Sequence, residues 1–216
     1  MSNSATVRDA LLSDGFVAII RIDDQAHALA TAEHLARLGV KAIEFSLANT
    51  DLSTLEQARG SIGSAAFVGA GTVLTQRQAH DAVSAGAQLL VSPDLNEDVV
   101  RFAQDRDVLH MPGVLTPNEA AAAARAGSDL IKLFPAGRLG ASYMGDILAA
   151  MPGLKLMPTG GIDLDNASAF VQAGCAALGL GSSLVGRGGP SSNPDALTKS
   201  LHSFRSLLHS FKAKGP

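Results

Sequence analysis

The stretch Ala124-Arg125-Ala126-Gly127-Ser128-Asp129-Leu130-Ile131-Lys132-Leu133-Phe134-Pro135 decides how the rest of the chain is read. It holds a helix end, a glycine suited to a left-handed cap, and an apolar strand with one ammonium inside it. Alternation sends Leu130, Lys132 and Phe134 to one face and Ile131 and Leu133 to the other. A buried lysine loses the hydration of its charged form, so its amine is free nearer neutral pH. A free amine is the species that condenses with a carbonyl. The plainer alternatives are a lysine paired with a buried carboxylate and one reaching water from the strand end.

The same helix end, glycine and strand recur around Gly39, Gly86 and Gly174. The cap glycines are 47, 41 and 47 residues apart, too far for one β/α unit, and each gap holds a further apolar strand. With the first strand this predicts eight: 16–22, 42–47, 67–73, 88–93, 109–114, 130–135, 154–159 and 177–183. Helical patterns separate them, among them 24–38, 76–85, 97–105, 117–126 and 141–150. A short amphipathic helix over 4–14 precedes the first strand. A helix over 195–212, with Leu197, Leu201, Phe204, Leu208 and Phe211 at helical spacing, follows a loop at 186–194. The reading is α/β: one (β/α)8 TIM barrel domain over 1–216, with short helices at both termini. An open doubly wound sheet is the competitor; the absence of an obvious edge strand favours the barrel.

Composition agrees. Of 216 residues 46% are hydrophobic and 17% charged, which fits a globular chain with a large core. A net charge of −3 leaves no basic stripe for nucleic acid. Cys175 is the single cysteine, no apolar run approaches the roughly 20 residues of a membrane span, and Met1 to Asp9 hold no apolar signal core. A cytoplasmic protein is expected.

In such a barrel, function gathers at the C-terminal strand ends. There the sequence places Arg21, Glu44, Thr72, Ser92-Pro93, Lys132, Pro158-Thr159-Gly160-Gly161 and Gly179-Leu180-Gly181-Ser182. A guanidinium, a carboxylate and an amine on separate strands then face one bowl. The glycine turns after strands seven and eight, Gly160-Gly161 and Gly181-Ser182, suit a phosphate, because bare backbone N–H groups can approach its oxygens. The chemistry implied is a class I aldol cleavage, with Lys132 forming an iminium and Glu44 shuttling protons. For Glu44 the alternative is a structural ion pair with Lys132. For Arg21 it is a guanidinium satisfied by backbone carbonyls, and for Thr72 an ordinary tight turn. His27, His34, His80, His202 and His209 fall on helices, and His110 in strand five has no second His or Cys nearby, so no metal and no cofactor are expected.

The segments Ile43-Glu44-Phe45-Ser46-Leu47, Val68-Gly69-Ala70-Gly71-Thr72-Val73-Leu74, Val91-Ser92-Pro93, Met111-Pro112-Gly113-Val114, Ile131-Lys132-Leu133-Phe134-Pro135-Ala136, Pro158-Thr159-Gly160-Gly161-Ile162 and Gly179-Leu180-Gly181-Ser182-Ser183-Leu184 stand in order. Together they resemble the 2-keto-3-deoxy-6-phosphogluconate (KDPG) aldolase family, with its accompanying 4-hydroxy-2-oxoglutarate aldolase activity and its 6-phosphogalactonate relatives. The resemblance implies a homotrimeric (β/α)8 barrel acting on a phosphorylated keto acid and pyruvate. It implies Lys132 as the Schiff-base lysine and Glu44 as acid/base. It puts Thr72 and Pro93 in the pyruvate pocket, Phe134 beside the lysine, and Arg21, Gly160, Gly161 and Ser182 near the phosphate. One stretch departs: Leu47-Ala48-Asn49-Thr50 stands where gluconate-type members carry an Arg that grips the pyruvyl carboxylate. Galactonate-type relatives also lack that Arg, whereas Thr159 looks like the gluconate type. Rival expectations are the galactonate epimer or an unphosphorylated 4-hydroxy-2-oxo acid, a sugar-phosphate isomerase or epimerase, and a non-catalytic binding barrel.

Overall fold

Nineteen short elements alternate along the computed structural model, which describes residues 3–186 and 193–212, the last two by backbone alone. In order they are α1 (Asn3–Asp14), β1 (Phe16–Ile20), α2 (Gln25–Arg37), β2 (Ala42–Ser46), α3 (Leu52–Ile62), β3 (Phe67–Gly71), α4 (Gln76–Ser84), β4 (Leu89–Val91), α5 (Glu97–Asp105) and β5 (Leu109–Met111). Then come β6 (Gly113–Val114), α6 (Pro117–Arg125), β7 (Ile131–Leu133), α7 (Ala136–Ala150), β8 (Leu156–Pro158), α8 (Ala167–Gln172), β9 (Leu178–Leu180), α9 (Ser182–Val185) and α10 (Pro194–Lys212). The cap glycines Gly39, Gly86, Gly127 and Gly174 all take positive φ, between 79° and 96°, as the repeated pattern requires. Most of the loop expected over 186–194, and the side chain of Phe211, lie outside the described residues.

All strand pairs are parallel. One sheet has six strands in the order β5-β4-β3-β2-β1-β9, and the other has three, β6-β7-β8. A single parallel bridge, Thr159 to Gly179, lies between β8 and β9. At the other junction the strand expected over 109–114 is broken by Pro112, which has no N–H for a ladder. The chain changes partner there: Met111 O accepts from Ser92 N (3.1 Å), and Pro112 O accepts from Lys132 N (2.9 Å).

Both faces of the strands are buried, which is why they read as continuous apolar runs. Ala18, Ile20, Ile43, Phe45, Val68, Ala70, Leu90, Ile131, Leu133, Leu156, Leu178 and Leu180 pack in one cluster with the helices. Val17, Ile19, Leu89, Val91, Leu109, Met111, Leu130 and Met157 form the other, joined by Val7 and Leu11 of α1. Helix α1 is held before β5 and β7 by hydrogen bonds from Asn3 N to Asp107 and from Arg8 Nη1 to Asp129, each 2.6 Å. Its Val7 and Leu11 therefore meet the N-terminal part of the inner cluster, leaving the C-terminal strand ends to other side chains. Helix α10 covers this same chain: Leu201, Phe204 and Leu208 join the outer cluster, and Arg205 donates to Leu38 O (2.7 Å).

The inner face is tight. Gly69 of β3 sits opposite Glu44, and a Cβ there would overlap the Leu89 side chain and carbonyl oxygen. Overpacking of this kind costs roughly 1–3 kcal/mol. Gly69→Ala is expected to lower stability by about that amount in urea titration; an unchanged midpoint would contradict the close approach.

Candidate active site

The inner face changes character toward the C-terminal strand ends. Glu44 is in register with Ile19 and Gly69, and Lys132 with Gly113 and Met157. Glu44 is 1% exposed and Lys132 2%. Leu130 lies in the inner cluster while Ile131 and Leu133 lie in the outer one, so alternation turns Lys132 inward. Its Nζ stands 4.9 Å from the centroid of the Phe134 ring, within cation–π range. Gly71 lies against Glu44, and a Cβ on it would overlap Oε1. The carboxylate thus fills space that only a glycine leaves open.

Burial dominates the electrostatics. It pushes the Glu44 carboxyl up, against the pull of the Lys132 and Arg21 charges. It pushes the Lys132 amine down; Glu44 opposes this and Arg21 reinforces it. All three groups therefore act on one another, although Arg21, just past β1, is itself exposed. Neither oxygen of Glu44 has a hydrogen-bond partner. The pair is thus not the hydrogen-bonded structural ion pair that the sequence alone allows.

Thr72 follows β3 with φ 61°, an uncommon region for a β-branched residue and a strain on the order of 1–3 kcal/mol. Its Oγ1 is 3.0 Å from Ser46 Oγ, which shares the face of Glu44. Pro93, half-buried, presents its carbonyl to Gly113, where a Cβ would overlap it. Thr159 is buried, and its hydroxyl donates to Met157 O (3.3 Å), so that group is turned to backbone. Gly160 and Gly161 have φ of 82° and 75°. Gly160 rests against the Phe134 ring, and Gly161 meets the backbone of Gly137. Gly181 caps α9, and Ser182, its first residue, is exposed. The bridge between Thr159 and Gly179 makes β8 and β9 neighbours, so the two glycine turns that follow them share one rim. Asn49, in the departing stretch, donates from Nδ2 to Asp23 Oδ1 (2.7 Å) and is turned to the loop after β1.

Three residues were not singled out for a role by sequence. Ser46 follows Glu44 by two positions, so alternation would have placed it on the same face. Ser92 Oγ donates to Val73 O (2.6 Å) and lies 2.8 Å from His110 Nε2. His110 is 7% exposed, and burial pushes its pKa down to about 4, so it is neutral. The one signal for that pair is a histidine inside an otherwise apolar strand.

Comparison with known proteins bears on the family of the chain as a whole. The model of the family described as KDPG and KHG aldolase matches residues 7–197. A Rhizobium meliloti (strain 1021) protein named "Probable 2-dehydro-3-deoxy-6-phosphogalactonate aldolase" is 38% identical over 170 residues, 78% of this chain and 80% of its own. A Pseudomonas aeruginosa protein named 2-dehydro-3-deoxy-phosphogluconate aldolase is 34% identical over 158 residues, 71% of this chain and 70% of its own. Among solved structures, one described as "Native KDPGal structure" superposes with a TM-score of 0.84 at 27% identity, covering 92% of this chain and 96% of that one. Fold and relatives together make the protein a lyase of the aldolase class. The chain belongs to the KDPG and KHG aldolase family.

The signs of these couplings are testable without a substrate. The rate at which Lys132 is acylated by an amine-directed reagent, followed by peptide mass spectrometry, reports its free-base fraction against pH. Glu44 raises the Lys132 pKa and Arg21 lowers it, so Glu44→Gln is expected to move the inflection to lower pH and Arg21→Ala to higher pH. Shifts in the opposite directions would refute the three-charge arrangement.

Proposed function

We propose that the chain is a class I aldolase cleaving 2-keto-3-deoxy-6-phosphogluconate to pyruvate and glyceraldehyde 3-phosphate through a Schiff base on Lys132. The observation that carries this is a lysine 2% exposed, its amine biased toward the free base, beside a carboxyl group with no hydrogen-bond partner. The Lys132 amine attacks the C2 ketone. Glu44, protonated, gives its proton to the carbinolamine hydroxyl, which leaves as water. The iminium then draws in the electron pair of the C3–C4 bond while the Glu44 carboxylate takes the C4 hydroxyl proton. Glyceraldehyde 3-phosphate departs, Glu44 returns the proton to C3 of the enamine, and water releases pyruvate from the lysine.

Around this centre Thr72, Pro93, Phe134 and Thr159 line the pyruvyl pocket. The left-handed turn at Thr72, inward beside Ser46, supports its share. Gly160, Gly161, Gly181 and Ser182 form the phosphate rim, supported by two glycine turns on neighbouring strands. Arg21 at the mouth serves the substrate's negative groups. The two sheets form one closed eight-stranded barrel in a single domain; the Thr159 bridge and the partner change at Pro112 support closure at both seams. Association as a homotrimer would cover apolar side chains in the segments after β3, β6, β7 and β8, where Leu74, Leu115, Leu139 and Leu164 are exposed. A cytoplasmic location follows from the substrate, a multiply charged acid that does not cross membranes unaided.

One observation favours a second substrate, the 6-phosphogalactonate epimer. Ala48-Asn49 stands where the gluconate type carries its Arg, Asn49 is tied to Asp23, and a 38% identical relative carries the galactonate name. Activity on the two phosphorylated epimers and on 4-hydroxy-2-oxoglutarate decides among them.

Borohydride added with pyruvate is expected to leave a reduced pyruvyl adduct on Lys132, lost in Lys132→Ala. Glu44→Gln is expected to slow cleavage roughly 10²–10⁴-fold. Absence of the adduct in the unaltered protein would overturn the proposal and favour isomerase chemistry or binding without turnover.

A further inference from the structure

A polar pair stands on the far side of the strands from the lysine. Ser92 follows Leu90 of the outer cluster by two positions, and His110 lies between Leu109 and Met111 of the inner one, so both have outward phase. Their hydrogen bonds have one consistent assignment. The single Ser92 hydroxyl proton goes to Val73 O, so Ser92 Oγ must accept from His110 Nε2–H. His110 is then the Nε2–H tautomer, and its bare Nδ1 has no partner. A buried relay with one orphaned acceptor is a poor way to stabilise a core; apolar groups of the same shape serve about as well. What the relay does provide is a fixed direction for one carbonyl.

That carbonyl belongs to the residue after Thr72. Left to itself, a β-branched residue relaxes from φ 61° to extended backbone. Here the two flanking peptides and the one after them are each pinned. Gly71 O accepts from Leu47 N (2.9 Å), Val73 N donates to Val91 O (3.1 Å), and Val73 O accepts from Ser92. A conformation of this kind persists only where its surroundings over-determine it. The result aims Thr72 Oγ1 inward, beside Ser46 on the face of Glu44.

We propose that Ser92 and His110 are positioning residues, which hold the left-handed turn at Thr72 and so direct its hydroxyl to the substrate. The inference rests on Thr72 lining the pyruvyl pocket as proposed above. Neither Ser92 nor His110 touches the substrate; both act through the Val73 carbonyl.

Steady-state cleavage of the phosphorylated keto acid by the full chain tests this. Ser92→Ala is expected to raise KM about tenfold and to leave kcat within about twofold, because a hydrogen bond to a charged substrate group is lost while the lysine chemistry is untouched. His110→Leu should act alike. His110→Gln, whose amide N–H replaces Nε2–H, should recover most of the loss. In a Thr72→Val background, which already lacks the hydroxyl, Ser92→Ala should add nothing. If the two substitutions instead multiply, or Ser92→Ala lowers the melting temperature with KM unchanged, the pair is merely structural and the proposal falls. If Thr72→Val alone leaves KM unchanged, Thr72 has no place in the pocket and the proposal falls with it. The borohydride adduct on Lys132 then reports separately whether the aldolase reading stands. Should Ser92→Ala not fold, the two His110 variants carry the same comparison.

Discussion

The structure turns on removing one ammonium and one carboxyl group from water together, in a shared interior, without letting them bond. Burial is the leading influence on both Glu44 and Lys132, ahead of their mutual attraction. Desolvation of an ion costs several kcal/mol, and such groups answer by moving toward their neutral forms. A hydrogen-bonded pair would have favoured both charged forms. The unpartnered carboxylate oxygens keep that from happening, and the walls around them therefore matter as much as the two residues.

Those walls are built largely from glycine. Gly69, Gly71, Gly113 and Gly179 each face a neighbour that a Cβ would strike: Leu89, Glu44, Pro93 and Thr159. A glycine in a strand gives up roughly 0.5–1 kcal/mol against alanine, so four on one surface are a substantial concession. They line the part of the inner face where Glu44 and Lys132 project, while Leu89, Leu109 and Leu130 fill the rest with Val7 and Leu11 of α1. The inner face is thus divided along its length, with apolar packing toward the N-terminal ends and the two buried ionisable side chains toward the other.

Much of this was legible beforehand, for local reasons. The glycine caps announced helix ends, and helices expected over 76–85, 97–105 and 117–126 end within a residue of α4, α5 and α6. Period-two alternation was enough to put Lys132 and Glu44 on one surface. Part of what escaped had its cause far away in the chain. The strand over 109–114 is cut by Pro112 because two different neighbours claim its halves. Helix α3, capped by Asp51, buries a short stripe of Leu55, Ala58 and Ile62 that no expected helix covers, and α7 begins at Ala136, five residues before the expected start, with non-helical Gly140 inside it. In Gly69-Ala70-Gly71-Thr72 glycines invite a tight turn, yet the positive φ falls on the threonine. The link from Ser92 to His110 joins residues 18 positions apart on adjacent strands, and no local rule points to it.

Arg21 completes the electrostatic argument. Burial moves Glu44 and Lys132 in opposite directions on the pH scale, because one is an acid charged when ionised and the other a base charged when protonated. A nearby cation moves both the same way, down. For the lysine the two influences therefore reinforce one another, and it is driven toward the free amine. For the glutamate they oppose one another, with burial the larger, so the carboxyl is biased toward its protonated form. An amine biased toward its free form, beside a carboxyl biased toward its protonated one, is the combination on which the proposed Schiff-base step draws. One guanidinium just past β1 acts on both groups, so Arg21 enters the proposed chemistry as well as the proposed binding.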